Sequence, residues 1–98
     1  MELFEKLYDE NETVKVRFVG FTGGETRFDF GIVYTNMFFG KPLVVCMQTG
    51  RSTLLELKDI QDLDFLQAAF KINYADALEL AEFFKETLPE VPFQSQYE

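Results

Sequence analysis

The sequence predicts an α+β fold: an antiparallel sheet of three to five strands packed against two C-terminal helices. Three observations lead there. Two stretches in the first half alternate apolar and polar residues, and a third is apolar on both faces. The second half carries two segments with helical periodicity. Strands come first and helices last, the order of α+β rather than of alternating parallel units. With 98 residues, one domain is expected over 1–88, followed by an irregular C-terminal tail over 89–98.

Residues 13–21, TVKVRFVGF, set Val14, Val16 and Phe18 on one side and Lys15, Arg17 and Val19 on the other. Residues 26–35, TRFDFGIVYT, set Phe28, Phe30, Ile32 and Tyr34 against Arg27, Asp29, Gly31, Val33 and Thr35. Thr22-Gly23-Gly24 signals a β-hairpin over 13–35. Matching the two patterns favours a three-residue loop, 22–24, with Phe18 across from Phe28, Val16 from Phe30, Val14 from Ile32 and Arg17 from Asp29. Gly24 then supplies the left-handed residue of a bulge, and a bulge at Gly20 would change the count. The strand at 43–49, LVVCMQT, suits a position covered on both sides, or covered by a partner chain. TLLEL at 53–57 fits a short fourth strand. ELFEKLYD at 2–9 fits a short helix, with Leu3, Phe4 and Leu7 on one face, or an edge strand.

Asp59 is expected to cap a helix over about 60–71, with Asp62 as a box-like partner. Leu63, Leu66 and Phe70 form one stripe and Phe65, Ala69 and Ile72 another, so this helix should be covered on two sides. Asn73 and Asp76 start a second helix over about 74–87. Its buried side is Ala77, Leu80, Ala81, Phe84 and Leu88; Asp76, Glu79, Glu82 and Glu86 line the other, and Pro89 ends it.

The longest apolar run, Leu43 to Met47, is far short of the roughly 18 residues of a membrane span. The acidic start, Met1-Glu2-Leu3-Phe4-Glu5, argues against a signal peptide. Cys46 is the single cysteine, so no intrachain disulfide forms, and a cytosolic location is expected. Net charge is −8, unevenly spread. The first ten residues carry a net of −3 and residues 52–98 a net of −7. Residues 11–51 carry five basic against three acidic residues, a net of +2. The acidic half repels phosphate backbones and anionic membranes, so neither nucleic acid nor membrane is an expected partner. Any anion site would draw on Lys15, Arg17, Arg27, Lys41 and Arg51.

With no histidine, His-based triads and His-containing metal sites are excluded. One cysteine makes no zinc site, and Cys46 reads as a small core residue. Asp59, Asp62 and Asp64 lack the frame of a calcium loop, and Glu79, Glu82 and Glu86 fall on a water-facing side. Gly40-Lys41 is followed by Pro42 where a phosphate loop needs Ser or Thr. Thr49-Gly50-Arg51-Ser52 reads as a turn, or as a cradle for a phosphate or carboxylate. RFDFGIVY faintly resembles the aromatic strand of an RNA-recognition motif but lacks its glycine and the β-α-β start, so Phe28 and Phe30 are expected in the core. No metal, cofactor or catalytic residue is expected, and the balance leans away from an enzyme.

One connection is anomalous. YTNMFFGKP, residues 34–42, carries Met37, Phe38 and Phe39 where a surface loop should be polar. They either close over their own sheet edge or form a contact patch with Leu43, Val44 and Val45. The preferred reading is a small protein–protein interaction or regulatory module acting as a homodimer, with an unidentified protein as a further partner. The alternative is binding of nucleic acid or a small anionic ligand through the basic sheet face.

MELFEKLYDENETVKVRFVGF and FDFGIVYTNMFFGKPLVVCMQTGRS together resemble a small domain-of-unknown-function family of Firmicutes bacteria, over about residues 1–88. The resemblance implies a cytosolic bacterial protein of this size and brings no catalytic or binding residues with it.

Overall fold

The strand Thr26–Tyr34 (β2) is the centre of the molecule, because every second side chain on it is apolar and large. Phe28, Phe30, Ile32 and Tyr34 are all buried. A computed structural model describes residues 3–23 and 26–87. In it β2 pairs with β1 (Lys15–Gly23) on one side and β3 (Leu43–Cys46) on the other, and β3 pairs with β4 (Ser52–Leu54). All pairings are antiparallel, in the order β1-β2-β3-β4. The helices α1 (Leu63–Phe70) and α2 (Tyr74–Thr87) follow, as the α+β reading expected.

Both helices cover the side of the sheet that carries Phe30. Its ring lies 5.5 Å from that of Phe70 on α1 and 5.3 Å from that of Phe84 on α2, both edge-on. Val44, Cys46, Leu55, Leu66 and Leu80 close the core around them. Phe65, Ala69 and Ile72 pack against its margin, so α1 is covered on two sides.

The hairpin register differs from the expected one. Strand pairing continues to Gly23 opposite Thr26, so only residues 24 and 25 connect the strands. Phe21 faces Phe28, Val19 faces Phe30 and Arg17 faces Ile32, with no bulge between Lys15 and Gly23. The reason is that β1 holds two apolar sets in opposite phase. Val19 and Phe21 take the core side because Phe21 stacks on Phe83 of α2 at 4.4 Å and on Phe28 at 5.7 Å. Val16 and Phe18 are thereby turned to the other face, where Phe18 is 76% exposed. Arg17, now on the core side, reaches the rim: Nη1 donates to the Thr87 carbonyl at 3.3 Å and to Tyr34 Oη at 3.4 Å.

Other boundaries moved less. Asp62, not Asp59, caps α1, accepting from Phe65 N at 3.0 Å. Asp59 instead opens a 3-10 turn (Asp59–Gln61) and accepts from Glu56 N. Asn73 Oδ1 accepts from Asp76 N at 2.8 Å, as expected for α2. The third strand ends at Cys46, and the fourth covers 52–54 rather than 53–57. Residues 3–14 form neither a helix nor a strand. Gly24, Leu88 and the tail over 89–98 lie outside the described residues.

Candidate interaction surface

Residues directly opposite on neighbouring strands point to the same face. The side of the sheet away from the helices can therefore be read row by row. One row crosses all four strands as Val16, Val33, Leu43 and Leu54. The next runs Phe18, Gly31, Val45 and Ser52. No residue in either row is charged. Met47 continues this side, half of its surface exposed, with its Cε near Gly31. This is an apolar sheet face over which none of the described residues lays a layer.

Leu43 and Val45 were expected at a contact, and both lie half-buried on this face. Val44 does not: it points the other way and is fully buried in the chain's own core. Val16, Phe18 and Met47 were not expected here. The signal that would have placed the first two is the second apolar set on β1, Val19 and Phe21.

The anomalous loop joins the sheet at the Val33–Leu43 end of these rows. Phe38, Phe39 and Gly40 all adopt left-handed backbone, with φ of 55°, 66° and 76°. Gly40 N donates to the Met37 carbonyl at 3.2 Å, closing the turn. Two bulky residues in succession at positive φ are a strained arrangement. Phe39 is 96% exposed and Phe38 46%, so Phe39 does not close over its own sheet; Met37 is half-buried.

Glu12 fixes the base of this loop. Its carboxylate accepts from Thr35 Oγ1 and from Asn36 N, the latter at 2.7 Å, while Met37 N donates to Thr35 Oγ1 at 3.0 Å. These two donors hold the Glu12 carboxyl below its ordinary value, the Thr35 hydroxyl having the larger effect.

The five basic residues do not gather. Lys15 and Arg17 share the core side of β1, whereas Arg27 lies across from Thr22 on the opposite side. Arg27 bonds Asp29, whose carboxyl is held low by the Gln48 amide first and by Arg27 second. Lys41 pairs with Glu56 at 2.8 Å, raising the lysine and lowering the glutamate. Arg51 stands exposed at the β3–β4 turn, where Thr49 Oγ1 accepts from its backbone N. Phe28 and Phe30, the aromatics of the RNA-motif likeness, are core residues.

Among the described residues, no group of three or more acidic or cysteine side chains is placed to hold a metal ion. No helix among them is long and apolar enough to cross a membrane. An open cleft of about 410 Å³ is lined by Phe21, Thr22, Gly23, Leu78, Glu79 and Glu82. None of the curated proteins matches the chain. The family described as SAV0927-like matches residues 7–86, well over half of the sequence, and the chain belongs to that SAV0927-like family.

Proposed function

We propose that the chain is a protein–protein interaction module acting as a homodimer, with the outer sheet face and the Phe38–Phe39 turn beside it as the contact. The observation that carries this reading is Phe18, a large side chain 76% exposed on an apolar sheet face. Leu43, Val45 and Met47 extend the surface across β3, and Met37, Phe38 and Phe39 adjoin its end. Aromatic and methionine side chains are the types enriched at interface centres.

A second copy suits this face. In a two-fold contact each patch meets itself, so a charged patch would meet like charge. The two rows are uncharged, whereas the exposed side of α2 carries Glu79, Glu82 and Glu86 on a chain of net charge −8. Arg27 and Asp29 at the margin offer both signs, so each can meet its opposite across a two-fold axis. The reading includes a cytosolic location, supported by the unpaired thiol of Cys46.

Sedimentation velocity over a wide concentration range tests it. The expected result is a dimer weakened by Phe18→Glu and by Phe38→Asp. A strict monomer at high concentration, unchanged by either substitution, ends the reading. Salt-dependent binding of single-stranded RNA by such a monomer would move the function to the basic residues.

A further inference from the structure

We propose that the N-terminal arm, residues 3–12, of one copy lays Leu3, Phe4 and Leu7 on the outer sheet face of a second copy, so that each chain gives an arm and receives one. This rests on the reading of that face as the dimer contact and names what fills it.

The arm is a second exposed apolar surface among the described residues. Leu3, Phe4, Leu7 and Tyr8 are 88%, 73%, 87% and 59% exposed. Four large apolar side chains within six residues are thus exposed in a chain whose outer sheet face the described residues also leave uncovered. Both are exposed in the same chain, so the arm does not serve its own sheet.

The tether points the same way. Thr35 directly follows the last residue of β2 and is buried at the loop end of the sheet. Its hydroxyl donates to Glu12, so the arm is fastened at the loop end of the sheet. From there Tyr8 to Glu12 run beside Met37, lining a cleft of about 380 Å³. The arm therefore passes outward by the loop that already belongs to the proposed contact.

Reach and charge agree. The eight residues from Glu12 back to Phe4 span about 26 Å when extended, and a four-stranded sheet is about 14 Å across. The first ten residues carry a net of −3, whereas residues 11–51, which hold most of the sheet, carry +2. Arg51, and Arg27 in its pair with Asp29, are exposed at the end of the sheet away from the tether. An acidic arm arriving from a partner meets a face with basic residues at its margin.

The test uses two full-length variants and their mixture. Leu3→Ser/Phe4→Ser/Leu7→Ser alters the arm, and Phe18→Glu alters the face. Each alone should raise the dimer dissociation constant by about a hundredfold. Mixed in equal amounts they should form a heterodimer, because the face variant keeps an intact arm and the arm variant keeps an intact face. Light scattering with one partner isotopically or fluorescently marked reads this directly. If the arm variant dimerises like the parent while Phe18→Glu does not, arm exchange is overturned and the face remains the contact. If the parent is a monomer, or neither variant weakens its dimer, both readings fall. Thermal melts check folding, and Met47→Glu replaces Phe18→Glu if that chain does not fold.

Discussion

Phe18 lies directly across from Gly31, and its Cε1 is 3.5 Å from where a Gly31 Cβ would stand. Met47 Cε closes on the same point at 3.1 Å. The missing side chain on β2 is what lets an aromatic from β1 and a thioether from the β3 end lie flat over it. Gly31→Ala asks only the free end of Met47 to shift, and should leave stability within about 1 kcal/mol of the parent. Gly31→Val inserts a branched side chain under Phe18 and lifts it. The expected outcome is a folded protein by circular dichroism whose self-association, read by sedimentation, falls about tenfold or more.

The turn at Phe38 and Phe39 is expected to trade stability against contact. A left-handed residue with a Cβ costs roughly 1–2 kcal/mol, and glycine removes that cost while adding some chain entropy to the unfolded state. Phe39 is 96% exposed, so its removal forfeits almost no burial. Phe39→Gly should therefore gain about 0.5–1 kcal/mol, a rise of a few degrees in Tm. The same substitution should weaken the dimer, since it deletes the most exposed aromatic of the proposed contact. A variant that melts higher and associates as tightly as the parent would remove Phe39 from that contact.

Glu12 makes the loop base sensitive to acid. Its folded pKa is depressed by the Thr35 and Asn36 donors, so its contribution is fully present above the unfolded glutamate value. That contribution is lost as pH falls through the lower, folded value. Amide exchange of Asn36, corrected for the intrinsic rate, should show protection near neutral pH that fades below the ordinary glutamate range. Glu12→Gln should abolish the protection at every pH. Protection that persists in Glu12→Gln would show that the carboxylate does not hold the loop.

Arg17 ties the edge strand to the end of the last helix, placing a cation where the carbonyls of α2 are unpaired. Arg17→Met keeps the apolar stem and removes both donated bonds. Their lengths are at the long end of the range, so the expected loss is about 1 kcal/mol in urea unfolding. Arg17→Lys should recover part of it, because the charge at the helix end remains.

The parts of the fold legible in the sequence are those where one pattern stands alone. β2 has a single apolar set, α2 has one buried stripe, and Asn73 is the only cap of its kind before Tyr74. Legibility fails where two patterns compete. On β1, Val16 and Phe18 argue for one face and Val19 and Phe21 for the other. Only Phe83, 62 positions after Phe21 in the chain, decides between them. Asp59 and Asp62 are both good caps, but only Asp62 caps a helix, while Asp59 opens the 3-10 turn and accepts from Glu56 N. The arm shows no regular structure because eight or so residues do not sustain a helix without a surface to pack on. For the candidate surface, Met37, Phe38 and Phe39 stood out by composition, but their left-handed geometry has no signal except Gly40. Phe18 and Met47 became visible only once the register was known.

Asp29 gains a second meaning from the two-sided character of the sheet. Before the helices dock, β1–β4 present apolar side chains on both surfaces, so a collapsing chain has two landing grounds. The wrong one would place α1 and α2 over Asp29 and Arg27. Burying that charged pair under a helix would strip it of water, a penalty the polar contact to Gln48 does not offset. The correct side carries only Phe28, Phe30, Ile32 and Tyr34 from this strand. Asp29, placed mid-strand and held by Gln48 and Arg27, thus marks the side of β2 that the helices leave uncovered.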